Sequence, residues 1–232
     1  MKSFSDCRLY TFVDTAYLKG RDVASVAQQL CDGGSDIIQL RAKNSSPDEI
    51  GQMAEIILPI TQRAGVPLVI NDHLQIAQEI GAEFCHLGQE DFFDGGFTHV
   101  SHLTAPLPAL SSPSDGEERV VAGGERSGIG LSTDAPAQAE RAIAAGADYI
   151  AIGPIYATGT KPTAKPVTLD YVRWADANIK IPWFAIGGIN LQTLDDVLAA
   201  GAKRICVVSA ILNAPDIAKA CADFKKRILS AP

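Results

Sequence analysis

Two polar clusters each close an apolar run: Asn71-Asp72 follows residues 67–70, and Gln89-Glu90-Asp91 follows residues 84–87. Carboxylates brought together repel, and one binds a proton unless a cation intervenes. A hard divalent cation resolves the conflict, since Mg2+ takes one or two carboxylate oxygens and fills its other positions with water and substrate phosphate. Asp72 and Asp91 are therefore the candidate Mg2+ ligands. The alternative is that Asp72 caps a helix beginning near Leu74.

Other polar groups also stand at the ends of apolar runs. In "QLRAK", alternation along an extended chain puts Gln39, Arg41 and Lys43 on one side. Arg and Lys together suit a phosphate, the first by paired hydrogen bonds and the second as a point charge. "GPIYATGTKPTAKP" offers Gly153, Thr158, Gly159, Thr160 and Lys161 on a loop that could close over a ligand. "AIGGIN" and "VVSAI" bring Gly187-Gly188 and Val208-Ser209, the pairing of glycine and helix start that receives phosphate in many barrels. His86 reads as a histidine hydrogen-bonded within the core, and His73, His99 and His102 lack metal-ligand spacing.

Such groups converge only if the elements carrying them are parallel. Eight β-rich runs recur, at 9–13, 36–40, 67–70, 84–87, 128–131, 149–152, 182–186 and 204–208. Between most of them lie stretches with apolar residues at helical spacing, such as Val23, Val26, Ala27 and Leu30, or Leu194, Val197, Leu198 and Ala199. Ser46-Pro47-Asp48-Glu49 marks a helix start, while Gly65, Gly81, Gly146 and Gly201 mark helix ends. "IGAEFCHLG", "AGADYIAIG" and "AGAKRICVV" echo one another as helix-to-strand joints.

Alternation with continuous apolar strands implies a parallel sheet covered by helices. The expectation is an α/β fold, a (β/α)8 TIM barrel forming one domain over 1–232, with an open sheet as the alternative. Its active site would lie at the carboxyl ends of the strands. Residues 92–126, with Pro106, Pro108 and Pro113 and a faint apolar pattern, read as an enlarged irregular excursion after the fourth strand.

Composition narrows the function. A chain of 232 residues with 47% hydrophobic and 20% charged residues has the balance of a globular protein. A formal charge of -7 and an isoelectric point near 5.1 argue against nucleic-acid or anionic-membrane partners. Cys7, Cys31, Cys85, Cys206 and Cys221 form no metal or redox spacing, so free thiols and a cytoplasmic location are expected.

In this order, "QLRAK", "ND" at 71–72, "HLGQED", the "GLS" ending at Ser132, "GPIYATGTK", "IGGI" and "VVSAI" resemble the thiamine-phosphate synthase family. The matching segments spread from about residue 8 to 228, and their joint order is more specific than any one of them.

The resemblance implies a transferase of thiamine biosynthesis that joins a hydroxymethylpyrimidine diphosphate to a thiazole phosphate, or its carboxylated form, giving thiamine phosphate and diphosphate. It implies that Gln39, Arg41, Lys43, Asn71, Ser132 and Lys161 hold the pyrimidine diphosphate. Thr158, Thr160, Gly188, Val208 and Ser209 would receive the thiazole phosphate, and Asp72 and Asp91 would carry Mg2+. Arg41, Lys43, Ser132 and Lys161 form the implied catalytic set, acting on a dissociative substitution. The partners are small-molecule substrates, and a homo-oligomer is compatible with this reading.

The chain departs from the family pattern in "NDH" at 71–73, in a longer interval between Asp91 and Ser132, in "GLSTDAP" and in the residue after Lys165-Pro166. Two alternatives stay open: a thiazole tautomerase-like isomerase on the same barrel, and a non-catalytic barrel that binds thiamine precursors and regulates a partner.

Overall fold

Each of the eight apolar runs becomes a strand. The computed structural model describes residues 6–103, 127–160 and 163–231. The strands are β1 (Leu9–Asp14), β2 (Ile37–Arg41), β3 (Leu68–Asn71), β4 (Phe84–Leu87), β5 (Gly128–Thr133), β6 (Tyr149–Ile152), β7 (Trp183–Ala185) and β8 (Ile205–Cys206). All pairs are parallel, and β8 returns to β1 through Leu9 opposite Ile205 and Tyr10 opposite Cys206, so the barrel is closed. Closure leaves no strand edge and buries both faces, which is why β1 is buried at every position.

The helices are α1 (Val23–Asp32), α2 (Pro47–Ala64), α3 (Leu74–Ile80), α4 (Gln89–Asp94), α5 (Pro136–Ala144), α6 (Thr168–Asn178), α7 (Leu194–Ala199), α8 (Ser209–Leu212) and α9 (Ile217–Leu229). The start of α2 is written in its sequence. The Ser46 hydroxyl accepts from the Glu49 N–H, the Glu49 carboxylate accepts from the Ser46 N–H, and Pro47 opens the first turn. Gly65 then ends the helix at φ 64°, and Ile50, Ala54, Ile57 and Ile60 face the barrel at helical spacing.

The repeated joints have a structural reason. In two of them the residue just before the strand is an acid that accepts an N–H from the start of a neighbouring strand. Glu83 takes Leu68 N at 2.9 Å and Asp148 takes Ile129 N at 2.7 Å. Asp36 does the same in the 36–40 run, taking Arg8 N at 2.8 Å and Leu9 N at 3.0 Å, and it also pairs with Lys225 of α9. These acids satisfy amides that the staggered barrel leaves unpaired at its amino-terminal face.

Inside the barrel the filling is aromatic. Tyr10 stacks on Phe12 and meets Phe184 edge-on, while Tyr149 meets Phe84 and Phe184 edge-on. Two glycines of β5 make room for these rings. A Cβ on Gly128 would stand 2.4 Å from the Phe84 ring, and one on Gly130 would stand 2.1 Å from Cζ of Tyr149.

Of the segment 92–126, residues 92–94 finish α4, with Phe92 buried and the Arg141 guanidinium 3.6 Å above the Phe93 ring. A short 3-10 turn at Val100–His102 is tied to α5 by Val100 N donating to Ala145 O. Residues 104–126 lie outside the described residues. All five cysteines are free thiols, four of them buried. Among the described residues, no helix is long and apolar enough to cross a membrane.

Candidate active site

Strand alternation sends one row of side chains from each strand inward, and the rows end in a single cavity of about 240 Å³ at the carboxyl face. Strand β2 contributes Gln39 and Arg41, and the turn beyond it contributes Lys43. Asn71 and Asp72 come from the end of β3, Asp91 from the first turn of α4, and Ser132 from β5. Thr158 and Thr160 enter from the loop after β6, Gly188 from the turn after β7, and Val208 and Ser209 from the start of α8. Lys161 lies outside the described residues.

Asp72 is not a cap. Helix α3 has His73 at its N-cap without a side-chain hydrogen bond, so the capping alternative does not describe this site. The Asp72 backbone sits at φ 65°, a left-handed conformation that costs most L-residues about 1–2 kcal/mol. Its N–H donates to His86 O at 2.9 Å, which locks the end of β3 to β4. The carboxylate turns to the mouth, where Oδ2 lies 2.6 Å from the Lys43 ammonium. With 45% and 27% of the two side chains exposed, that pair contributes only about 0–1 kcal/mol.

Asp91 belongs to an acidic first turn with Glu90, favoured by the positive end of the α4 dipole. Gly88 leaves space for it, since a Cβ there would stand 2.4 Å from Asp91 Oδ2. The donors available around Asp72 and Asp91 are oxygens, with Glu90 and Gln89 beside them on the same cavity. That set suits a hard cation, and Asp72 already holds a positive group. Among the described residues no cluster of three His, Cys, Asp or Glu forms a self-sufficient metal cage. Mg2+ does not need one, because phosphate and water supply its remaining ligands.

Arg41 has a dedicated partner. Asp14, at the end of β1 and 1% exposed, accepts from Arg41 Nη1 at 2.8 Å and from Ala16 N at 3.0 Å. The guanidinium is thereby held toward the cavity with donors to spare. Just beyond Asp14, Tyr17 hydrogen-bonds Thr160 at 3.1 Å, and Thr158 accepts from Thr160 N at 3.3 Å. These contacts connect the loop after β6 to the loop after β1.

The two glycines after β7 are required by the backbone. Gly187 and Gly188 have φ of 102° and 66°. A Cβ on Gly187 would stand 2.4 Å from Pro154 Cα, and one on Gly188 would stand 2.6 Å from Ala157 O. The loops after β6 and β7 touch there, held by Ile155 N to Ile186 O and Tyr156 N to Gly187 O.

Below the mouth runs a line of buried hydrogen bonds. Gln39 Nε2 donates to Tyr10 at 2.7 Å, Tyr10 meets Tyr149 at 3.1 Å, Tyr149 meets His86 Nδ1 at 3.0 Å, and His86 Nε2 meets Ser132 at 2.9 Å. Burial pushes both phenols well above 10, so both keep their hydrogens at neutral pH. His86 is 8% exposed and hydrogen-bonded in the core, as its sequence position suggests, yet it also lines the cavity.

Sequence reasoning missed Asp14, Tyr10, Tyr149 and Tyr17. A signal for Asp14 was present, because "LYTFVD" ends an apolar run in a polar residue just as the runs before Asn71 and Gln89 do. The tyrosines gave none, being indistinguishable in sequence from apolar core.

This arrangement recurs in proteins of known family. Residues 9–94 and 116–211 match the family described as thiamine monophosphate synthase. The thiamine-phosphate synthase of Lawsonia intracellularis is 37% identical over 227 residues, covering 97% of this chain and 94% of that protein. That of Thermus thermophilus is 40% identical over 197 residues, 84% of each chain. The solved thiamine phosphate pyrophosphorylase from Pyrococcus furiosus superposes with a TM-score of 0.80 at 25% identity, covering 98% of both chains. The family's motifs, the closed barrel and one cavity collecting the motif residues coincide, and the chain belongs to the thiamine monophosphate synthase family.

Proposed function

We propose that this transferase joins 4-amino-5-hydroxymethyl-2-methylpyrimidine diphosphate to 4-methyl-5-(2-hydroxyethyl)thiazole phosphate, or the carboxylated thiazole, releasing thiamine phosphate and diphosphate. The carrying observation is that two cations, Arg41 and Lys43, and two carboxylates, Asp72 and Asp91, line one cavity. An isomerase acting on a thiazole phosphate alone has no diphosphate leaving group to neutralise.

In this reading Gln39, Arg41, Lys43, Asn71, Ser132 and Lys161 bind the pyrimidine diphosphate. Thr158, Thr160, Gly188, Val208 and Ser209 take the thiazole phosphate. The helix start at Ser209 supports the latter, because the first N–H groups of a helix have no acceptor within it. Asp72 and Asp91 would hold Mg2+, whose charge would stabilise the departing diphosphate.

The bond from the pyrimidine methylene to diphosphate oxygen breaks, and its electron pair leaves with the diphosphate. Positive charge developing on the methylene is shared with the electron-rich ring, and the thiazole nitrogen then forms the new C–N bond. No protein nucleophile takes part. Arg41 and Lys43 stabilise charge on the leaving group, and the cavity walls align the two rings and limit water. The reading takes 1–232 as one catalytic domain, and its free thiols suit a reducing cytoplasm.

The test supplies both substrates, with and without Mg2+, and measures thiamine phosphate and diphosphate. Equimolar, metal-dependent formation of both supports the reading. Tight binding of both substrates without product would overturn it.

A further inference from the structure

Two separate walls form the part of the cavity that the proposed function gives to the thiazole phosphate. One is the loop after β6, with Thr158 and Thr160, and the other is the start of α8, with Val208 and Ser209. Neither wall has much rigidity of its own. Helix α8 is four residues long, little more than one turn. The loop is anchored at its base, by Ile155 N to Ile186 O, Tyr156 N to Gly187 O and Val167 N to Pro154 O.

Both walls are hydrogen-bonded to the chain that follows β1. There Asp14 starts a 3-10 turn, Thr15–Tyr17, by accepting from Ala16 N. The Tyr17 hydroxyl reaches the first wall, 3.1 Å from Thr160 Oγ1, and a Cβ on Gly159 would stand 3.9 Å from the same phenolic oxygen. Among the described residues, this is the hydrogen bond that ties the 158–160 stretch to another element. Arg21 reaches the second wall. Its Nη2 donates to Leu212 O, at the end of α8, and to Tyr17 O, both at 2.6 Å, while its Nε donates to Leu18 O at 2.9 Å. Leu212 O is one of the carbonyls that a helix end leaves without a partner, and a cation there suits the negative end of the dipole. One guanidinium thus fastens α8 to the backbone of the residue whose hydroxyl fastens the loop.

Tyr17 and Arg21 are not among the residues that line the cavity, so they reach a ligand through the groups they hold. We propose that they are positioning residues for the thiazole phosphate: Tyr17 fixes Thr160, and Arg21 fixes the helix that begins at Ser209, through one shared turn. The inference rests on the proposed function. The same turn begins at Asp14, which holds Arg41 on the proposed diphosphate side, so both subsites are referred to one short segment. Such a common reference matters for a bond-forming step that needs its reacting atoms about 3–3.5 Å apart. It also accounts for the residue type at position 21, since three carbonyls served by one side chain call for the fixed fork of arginine.

The test measures binding of 4-methyl-5-(2-hydroxyethyl)thiazole phosphate by calorimetry, with inorganic diphosphate as the control ligand. Tyr17→Phe keeps the ring and removes one oxygen. It is expected to weaken thiazole phosphate binding about two- to tenfold, the range of one neutral hydrogen bond, and to leave diphosphate binding unchanged. In a Thr160→Ala background the same substitution should add nothing, because its partner is gone. Arg21→Lys should show the same split between the two ligands, with Arg21→Gln in its place if that variant does not fold.

Unchanged thiazole phosphate binding in Tyr17→Phe, equal losses for both ligands, or additive effects in the double variant overturn the proposal. An Arg21 variant that binds thiazole phosphate like wild type overturns the part given to Arg21. Wild-type protein that binds thiazole phosphate but makes no thiamine phosphate refutes the proposed function instead, and the binding comparison still decides the positioning role. Wild-type protein that does not bind thiazole phosphate overturns both.

Discussion

Lys43 Nζ stands 2.6 Å from Asp72 Oδ2, so the lysine proposed for the diphosphate and the aspartate proposed for the metal are each other's partners. In the proposed reading the ammonium and Mg2+ would compete for one carboxylate. Lys43→Met should bind Mg2+ up to about fivefold more tightly in the absence of substrates, the limit set by an exposed pair worth at most about 1 kcal/mol. Its turnover should nevertheless fall. Calorimetric titration of the metal, followed by steady-state rates, checks both halves.

Asp72→Asn separates charge from shape, because asparagine also tolerates a left-handed backbone. Turnover should drop by about 10³-fold or more, as expected when a metal worth several kcal/mol to a leaving phosphate is lost. The melting temperature should stay close to wild type. Product assays at saturating substrate, alongside a thermal melt, distinguish a lost ligand from a lost fold.

Asp14 acts through Arg41. Asp14→Asn keeps the bond to Ala16 N but removes the charge that orients the guanidinium. KM for the pyrimidine diphosphate should rise about tenfold, and stability should fall by about 2 kcal/mol. That is less than the roughly 3–5 for breaking a fully buried pair, because the Arg41 side chain keeps 15% exposure. A urea titration and a substrate-dependence curve give the two numbers.

Much of this site was legible because strand alternation and loop position are local properties. The eight apolar runs became the eight strands, and the polar residues at their carboxyl ends share one cavity. What stayed hidden is set by non-local packing. Tyr10 and Tyr149 are 139 residues apart and meet only when the barrel closes. That Asp72 does not cap α3 depends on His73 taking the N-cap position, which no residue spacing specifies. The helix α4 is six residues long, too short for its single buried Phe92 to establish a period against the glycines that follow.

Gly188→Ala tests whether the glycine pair serves the loops or merely lines the cavity. A methyl group at φ 66° would press on Ala157 O, forcing apart the loops after β6 and β7. Stability should fall by about 1–3 kcal/mol from the strained conformation alone. KM for the thiazole phosphate should rise more than KM for the pyrimidine diphosphate. Separate substrate titrations decide the point.

At the opposite face of the barrel, Asp36 ties α9 to the strand starts. Burial raises its pKa, but Lys225 and the N–H groups of Leu9 and Arg8 outweigh burial and hold it below its ordinary value. A depressed folded pKa gives stability that is present above the unfolded value of about 3.9 and is lost as pH falls through the folded value. Asp36→Asn should therefore be less stable than wild type at pH 7. The gap should narrow as the pH drops below about 4, and urea midpoints across that range would show it.

The left-handed backbone at position 72 sets two selections against each other. A library at this codon sorted for thermal endurance should tolerate glycine and asparagine, which occupy that conformation with little penalty. The same library sorted for growth without supplied thiamine should retain aspartate. A position that one selection leaves open to three residues and the other narrows to one would hold that residue for its chemistry rather than for its backbone.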